Sequence, residues 1–204
     1  MELPKSLEKV SKILSRLPGL GPRQALRLSF YLLRQDKNYQ KDFLESFNNF
    51  FTKIKLCQEC SFPFETMNDN ETLCSICRDK KRDHTLLCVV EKETDLLTIE
   101  KTNKYQGLYH ILGRLINDVN SENSKTILLK LIKRIKENKP KIKEVILALS
   151  PTSDGNLTAY YLEKAIKNLK MDIKITKLAR GIPQGGEIEF ADSETLINAL
   201  EGRK

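Results

Sequence analysis

Two Cys-x-x-Cys pairs are the residues best suited to chemistry: Cys57-Gln58-Glu59-Cys60 and, thirteen residues later, Cys74-Ser75-Ile76-Cys77. Each pair can present two sulfurs from one tight turn, and two such turns facing each other complete the closed tetrahedron of a structural zinc site. Pro63, Asn68, Asp69 and Asn70 supply turn residues between the pairs, so the chain can return on itself. The competing reading, reduced thiols without metal or redox pairs, is weaker because a redox motif needs only one pair. A structural ion, one Zn²⁺ per chain held by Cys57, Cys60, Cys74 and Cys77, is expected. Cys88 stands apart in the apolar run Leu86–Val90 and reads as a small buried hydrophobe.

A second constellation could bind anions. Pro18-Gly19-Leu20-Gly21-Pro22 separates two helical patterns, one carrying Leu7, Val10, Ile13, Leu14 and Leu17, the other Ala25, Leu26, Leu28, Leu32 and Leu33. This spacing predicts a helix-hairpin-helix. Glycines let backbone N–H groups approach a phosphate, and the second helix adds its positive N-terminal end. Arg23 and Arg27, four residues apart, can add charge to the same contact. Gly19, Gly21, Arg23, Gln24 and Arg27 are therefore the expected DNA-binding residues. Such contacts read phosphates and carry little base information.

The elements that must position these groups follow from periodicity. Phe43, Phe47, Phe50, Phe51 and Ile54 recur at helical spacing; they could stack on bases, but a buried core face is the expectation. After the second cysteine pair, Lys80-Lys81-Arg82-Asp83-His84 forms a polar bridge and the best candidate boundary. From Leu86 onward, strands (86–90, 144–149 and one beginning at 173–175) alternate with helices (95–101, 127–136, 157–169). That order predicts a mostly parallel sheet covered on both faces. Functional groups collect at the C-terminal ends of such strands, where Glu91 and the turn Ser150-Pro151-Thr152-Ser153-Asp154-Gly155 lie. Domains are expected at 1–56, 57–80, 81–178 and 179–204. The fold class is a multidomain α+β and α/β chain: helix-hairpin-helix, four-cysteine knuckle, mostly parallel sheet domain and C-terminal extension.

Composition bounds the partners. The 204 residues carry 35 Lys and Arg against 27 Asp and Glu, a net charge of +8. Residues 1–56 alone hold eleven basic and five acidic residues, so most of the excess precedes the first cysteine. A concentrated basic end points to a polyanion, most simply nucleic acid. No run approaches the roughly 20 apolar residues of a membrane span, and Met1-Glu2-Leu3-Pro4-Lys5 does not open a signal peptide. A reducing, cytoplasmic, nucleoid-associated setting is expected.

A strand ending in glutamate, followed by a strand ending in an acidic turn, resembles the Toprim domain of topoisomerases, primases and related nucleases. Catalytic members read Asp-Pro-Asp-x-Glu-Gly at that turn and use its carboxylates to hold Mg²⁺ for phosphoryl transfer. Hard oxygen ligands suit that ion. Here Ser150 and Thr152 replace both metal-binding aspartates and only Asp154 keeps a carboxylate. Glu91 and Asp154 are left as a weak Mg²⁺ site, a vestige, or a docking point for partners. Tyr160 and Tyr161 lie in a helical stretch and read as packing residues rather than nucleophiles.

The whole order is more specific. The hairpin with Arg23 and Arg27, the four cysteines, Val89-Val90-Glu91, Tyr105-Gln106-Gly107-Leu108-Tyr109-His110-Ile111-Leu112-Gly113, Gly181-Ile182-Pro183-x-Gly185-Gly186 and Glu189-Phe190-Ala191-Asp192 together resemble the RecR family of bacterial recombination mediators over nearly the full chain. The resemblance implies a non-enzymatic protein that binds single- and double-stranded DNA without sequence preference. It implies a homo-oligomeric ring or clamp, a dimer of dimers joined through hairpin ends and C-terminal segments. It also implies action with RecO and RecF to load RecA on single-stranded or gapped DNA. The alternative is a Mg²⁺-dependent Toprim nuclease, primase or topoisomerase-like enzyme. Residues 117–123, Gln24 and the turn 150–156 depart from the family pattern. His110 is expected to be structural or interfacial, and the lysines of 125–143 to form a solvated helix face.

Overall fold

The computed structural model describes residues 2–66, 68 and 70–203, so Asp69 of the inter-pair turn lies outside the described residues. The chain divides into two compact units, residues 1–54 and 55–204.

The first unit holds α1 (Lys5–Leu14), α2 (Pro22–Leu33) and α3 (Lys37–Lys53). Pro18, Gly19, Gly21 and Pro22 end α1 and start α2 because proline lacks the helical N–H and glycine accepts conformations other residues avoid. Gly19 sits at φ +79°, the left-handed region, so a side chain there strains the hairpin turn. The turn closes through the Leu20 N–H donating to the Leu17 carbonyl at 3.1 Å. Asp36 caps α3, its carboxylate accepting from the Asn38 and Tyr39 N–H groups at 2.9 Å.

Only Ala25 and Ser29 are fully buried among the described residues of this unit. The expectation that the phenylalanines form a core fails within the unit: Phe47, Phe50 and Phe51 are exposed and pack on one another along α3, with Phe43 and Phe47 centroids 4.7 Å apart. Helical period makes an apolar face; three helices of this length leave that face nothing to bury it.

From residue 55 the second unit carries the rest of β1 (Ile54–Leu56), which pairs with β2 (Pro63–Glu65), and then α4 (Ser75–Arg78). A four-stranded sheet follows: β3 (Asp83–Val90), β4 (Gly107–Ile111), β5 (Glu144–Ala148) and β6 (Lys174–Lys177), in spatial order β4-β3-β5-β6 with every pairing parallel. The helices are α5 (Glu93–Glu100), α6 (Glu122–Glu137), α7 (Ser153–Lys167) and α8 (Ser193–Glu201), with a short 3₁₀ turn at Ile188–Phe190. Alternate residues of the strands feed two cores. Leu87, Val89, Leu108, Val145 and Leu147 join Ile127, Leu131, Ile135, Leu162 and Ile166 of α6 and α7. Cys88, Val90, Tyr109, Ile111 and Ala148 join Leu96 of α5 on the other face. The covered parallel sheet is as the strand-helix alternation predicts.

β4 is not among the strands that the periodicity predicts, although its five residues are all buried. Its Gly107 has no room for a side chain, since a Cβ would meet the Tyr105 ring and stand 2.8 Å from the Leu86 Cβ. Cys88 is 2% exposed, the small buried hydrophobe that its run suggests.

Candidate metal centre and nucleic-acid interface

The four cysteines come together. Cys57 sits where β1 ends, Cys60 in the turn before β2, Cys74 caps α4, and Cys77 lies within it. The first turn is set by the Cys57 N–H donating to the Phe62 carbonyl and the Ser61 N–H to the Cys57 carbonyl, both at 2.9 Å. The Gln58 N–H donates to the Thr72 carbonyl at 3.0 Å and so ties the first turn to the segment carrying the second pair. All four side chains are buried, with sulfurs within 4.8 Å of one another and Cys60 and Cys74 Sγ 3.5 Å apart. They are the one group of three or more His, Cys, Asp or Glu among the described residues that could hold a metal ion.

Crowding makes the thiols unequal. Hydrogen bonds from the Cys60 thiol and then from Cys74 and Cys77 push Cys57 strongly down, whereas hydrogen bonding to Cys57 pushes Cys77 and Cys60 strongly up. Cys74 is lowered to about 7, hydrogen bonding to Cys57 raising it and hydrogen bonds from Cys60 and Cys77 outweighing that, so two thiols of the cluster are favoured as thiolates and two are disfavoured. A cation is what allows all four to ionise together.

Beyond the sulfurs, the surroundings are built to hold them. The Phe62 N–H donates to Cys60 Sγ at 3.4 Å. Phe62, Phe64, Leu73 and Ile76 pack around the cluster as partly buried residues. The Ile111 N–H of β4 donates to the Cys60 carbonyl at 3.0 Å, so the cysteine turn covers the outer edge of the sheet. From α6, Arg134 reaches the same place: its guanidinium pairs with the Glu59 carboxylate, and Nη2 lies 3.8 Å from Cys77 Sγ. Sequence reading missed Arg134. The available signal was its phase, because 134 follows Ile127 and Leu131 on the buried stripe of α6, where a charge demands a partner.

The five hairpin positions occupy the first unit. Gly21 caps α2 and Pro22 is its first residue, which leaves the Arg23 and Gln24 N–H groups in the first turn without helical acceptors. Arg23, Gln24 and Arg27 are exposed on α2, and neither arginine has an ion-pair partner among the described residues.

The sheet's C-terminal edge is different in kind. Glu91 follows β3, is mostly buried, and pairs with Lys92 at 3.2 Å. Asp154 lies exposed in the first turn of α7. No third carboxylate joins them in a metal-sized group among the described residues. Thr152 caps α7 by accepting the Gly155 N–H at 3.1 Å, and a Cβ on Gly155 would collide with the Ser150 carbonyl oxygen. A cleft of about 630 Å³ opens beside this turn, lined by Asp95, Ser150, Asn156, Arg180 and Glu194 among others. Arg180 donates to Asn156 Oδ1 at 2.5 Å and to Glu194 at 3.0 Å, which fastens the C-terminal segment to the turn.

These features have counterparts in known proteins. Residues 85–179 match the Toprim domain model, 7–48 the model described as RecR, helix-hairpin-helix, and 181–204 the model described as RecR, C-terminal. Over 200 residues the chain is 38% identical to the recombination protein RecR of Bifidobacterium adolescentis, covering 98% of this chain and 96% of that one. The RecR of Brachyspira hyodysenteriae is 39% identical over 97% of this chain and 96% of its own, and that of Moorella thermoacetica 38% over 100% and 98%. The chain belongs to the RecR family. Its Toprim domain is thus found in a RecR setting, between a RecR hairpin and a RecR C-terminal segment. No described helix is long and apolar enough to cross a membrane.

His110, within the Tyr105–Gly113 stretch shared with the RecR pattern, is 3% exposed on β4 and its Nδ1 has no hydrogen-bond partner among the described residues. Burial, with Lys130 adding, pushes its pKa down to about 4. It is a neutral core residue with no Ser or Cys nucleophile hydrogen-bonded to it among the described residues.

Proposed function

We propose that this chain is a non-enzymatic recombination mediator of DNA repair, which binds DNA through the hairpin and acts with RecO and RecF to load RecA on single-stranded or gapped DNA. The observation that carries this reading is the combination of Arg23 and Arg27, exposed on a Gly-x-Gly-led helix and without an ion-pair partner among the described residues, with a Toprim turn that lacks its metal-binding aspartates. Gly19, Gly21, Arg23, Gln24 and Arg27 form the phosphate-reading surface. Binding at such a surface is independent of sequence and weakens steeply with salt.

The four cysteines hold one structural Zn²⁺. Thiolate ligands at about 2.3 Å in a tetrahedron stand roughly 3.8 Å from one another, and the 3.5 Å approach of Cys60 and Cys74 within a buried cluster suits that size. The ion supplies folding energy and no reaction. Glu91 and Asp154 serve as a vestigial Toprim pair available to partner proteins, and any Mg²⁺ they meet is held weakly.

The domains act as 1–56 for DNA and oligomer contacts, 57–80 for zinc, 81–178 for the Toprim-like body and 179–204 for oligomer contacts. Exposed Phe47, Phe50, Phe51, Ile188, Phe190, Ile197 and Leu200 on the two terminal segments support a dimer of dimers in the cytoplasm, because apolar surface of this kind calls for a cover. A ring repeats a weak phosphate surface and gains avidity without base readout.

The test is RecA filament assembly on single-stranded DNA coated with its binding protein, with this chain and RecO added, followed by DNA integrity in Mg²⁺ and Mn²⁺. Faster filament assembly with intact DNA is expected, and equally so for Glu91→Gln. Reproducible cleavage lost in Glu91→Gln would instead establish a Toprim nuclease.

A further inference from the structure

The fourfold thiolate site has a charge that its own loop does not balance. Four thiolates around a divalent ion leave a net charge of about −2 on a buried group, and Glu59, inside the first cysteine pair, adds another negative charge beside it. The N–H donors that reach the sulfurs include the Phe62 backbone N–H at 3.4 Å from Cys60, the backbone N–H groups of Cys74 towards Cys57 and of Cys77 towards Cys74, and Arg134 Nη2 at 3.8 Å from Cys77. Arg134 is the only one of these that carries charge.

Its burial sets it apart from the other cations of the knuckle. The Arg134 side chain is 7% exposed, against 50% for Arg78, which pairs outward with Glu71. Nη1 holds Glu59, Nη2 faces Cys77, and Nε is buried with no hydrogen-bond acceptor among the described residues. A guanidinium stays protonated under these conditions, so the group is a permanent cation against the sulfurs. It does not belong to the knuckle. It projects from α6, whose Ile127, Leu131 and Ile135 are part of the sheet domain's core.

The geometry points to Arg134 as the charge partner of the metal centre: a positioning residue, contributed by the sheet domain, that neutralises the thiolate cluster and slows loss of its ion. This rests on the zinc reading of the four cysteines. Loss of the cation leaves the sulfurs more basic and more open to protons and to thiol-directed reagents, while Glu59 stays as an uncompensated carboxylate beside them. Outer-sphere partners of this kind are worth about 10- to 100-fold in metal affinity. Because α6 supplies the charge, retention of the ion is tied to the seating of the knuckle on the β4 edge.

The experiment measures zinc release from the full-length, zinc-loaded protein to a chromogenic chelator, with and without a mercurial or hydrogen peroxide. Arg134→Met keeps the volume and removes the charge, Arg134→Lys keeps the charge, and Glu59→Gln breaks the ion pair while leaving the arginine. Expected are release at least tenfold faster in Arg134→Met, an intermediate rate in Arg134→Lys, and a rate within about twofold of the parent in Glu59→Gln. A merely mechanical clamp gives equal acceleration in Arg134→Met and Glu59→Gln, and that result overturns the proposal. So does an Arg134→Met rate equal to the parent's, or identical rates in the Met and Lys variants. If Arg134→Met yields no folded protein, the comparison of Arg134→Lys with Glu59→Gln decides: faster release in Glu59→Gln than in Arg134→Lys refutes the charge role. Parent protein purified with no bound zinc removes the zinc reading itself, whereas one zinc per chain with unchanged release removes only the role of Arg134.

Discussion

Replacing Arg23 and Arg27 together with Ala removes two exposed charges from one face of α2 without touching the buried Ala25 or Ser29. Neither arginine has an ion-pair partner among the described residues, so each is free to neutralise one phosphate and the loss is two contacts per engaged hairpin. On duplex DNA each contact contributes a slope of about −0.9 to log K against log salt, so the slope of R23A/R27A is shallower by about 1.8; on single strands, at about −0.7 each, by about 1.4. Raising salt fourfold, from roughly 50 to 200 mM, weakens duplex binding through two such contacts by about 12-fold. Over that range the affinity of the unsubstituted protein therefore falls by at least that factor more than the affinity of R23A/R27A. Fluorescence anisotropy with labelled 30-mers reads the slopes directly, and two unrelated sequences give the same values because phosphates carry no base identity. An unchanged slope for R23A/R27A, with a circular-dichroism spectrum like that of the unsubstituted protein, refutes the hairpin as the phosphate reader. So does a slope that depends on sequence.

Other parts of the chain carry expectations of their own. Removing zinc with a strong chelator under reducing conditions is expected to unfold the segment 55–80 while leaving much of the sheet, because the cysteine cluster is ringed only by partly buried Phe62, Phe64, Leu73 and Ile76 whereas the sheet has two cores of its own; hydrogen exchange mapped by mass spectrometry reads this, and unaltered protection at 55–80 contradicts it. His110, with a pKa of about 4 when folded against about 6.5 when unfolded, makes the unfolded chain bind the extra proton between those values, so stability is full above pH 6.5 and falls as pH drops towards 4, by up to about 3 kcal/mol. Urea midpoints for the zinc-loaded protein and its His110→Gln form should diverge as pH falls from roughly 7.5 to 5, with the flatter curve for H110Q; parallel curves rule the histidine out as the cause. Gly155→Ala forces a methyl against the Ser150 carbonyl and should lower stability by about 1–3 kcal/mol in chemical unfolding, with no loss expected if the turn relaxes freely.

What the residues disclosed, and what they withheld, has a physical pattern. The cysteine cluster was legible because paired spacing is itself geometry: Cys-x-x-Cys fixes two sulfurs on one turn wherever the turn lies. The parallel sheet was legible in β3 and β5 because apolar runs flanked by helical patterns have few other uses. β4 was not, since Gly107, Tyr109 and His110 break the apolar run, and only pairing with β3 makes them a strand. The period of the α3 phenylalanines marks an apolar face, which is exposed and not a core within its unit, because period reports which side is apolar and says nothing of what covers it. Arg134 was hidden by composition: one basic residue among the many of α6 is distinguished only by its phase with Ile127 and Leu131.

The turn after β5 shows how the sheet domain can keep its shape while its polar groups do other work. At the positions where catalytic Toprim domains carry the paired aspartates, Ser150 offers a carbonyl packed over Gly155, and Thr152 spends its hydroxyl oxygen on the Gly155 N–H as the cap of α7. Asn156, one residue past the glycine, accepts from Arg180, which also holds Glu194 of α8. A hydroxyl or amide here satisfies neighbouring donors within the chain, where a carboxylate pair needs a divalent cation to offset its own repulsion. The side chains of Thr152 and Asn156 are thus engaged by the chain itself, and Asp154, at an exposed position in the first turn of α7, is the one carboxylate of the turn left for a partner. A docking role for this turn predicts that charge removal at Asp154 weakens a protein contact and leaves zinc content and DNA affinity unchanged. A pull-down with RecO alongside anisotropy on the same Asp154→Asn preparation separates the two, and equal loss of both would return the turn to a role in the fold.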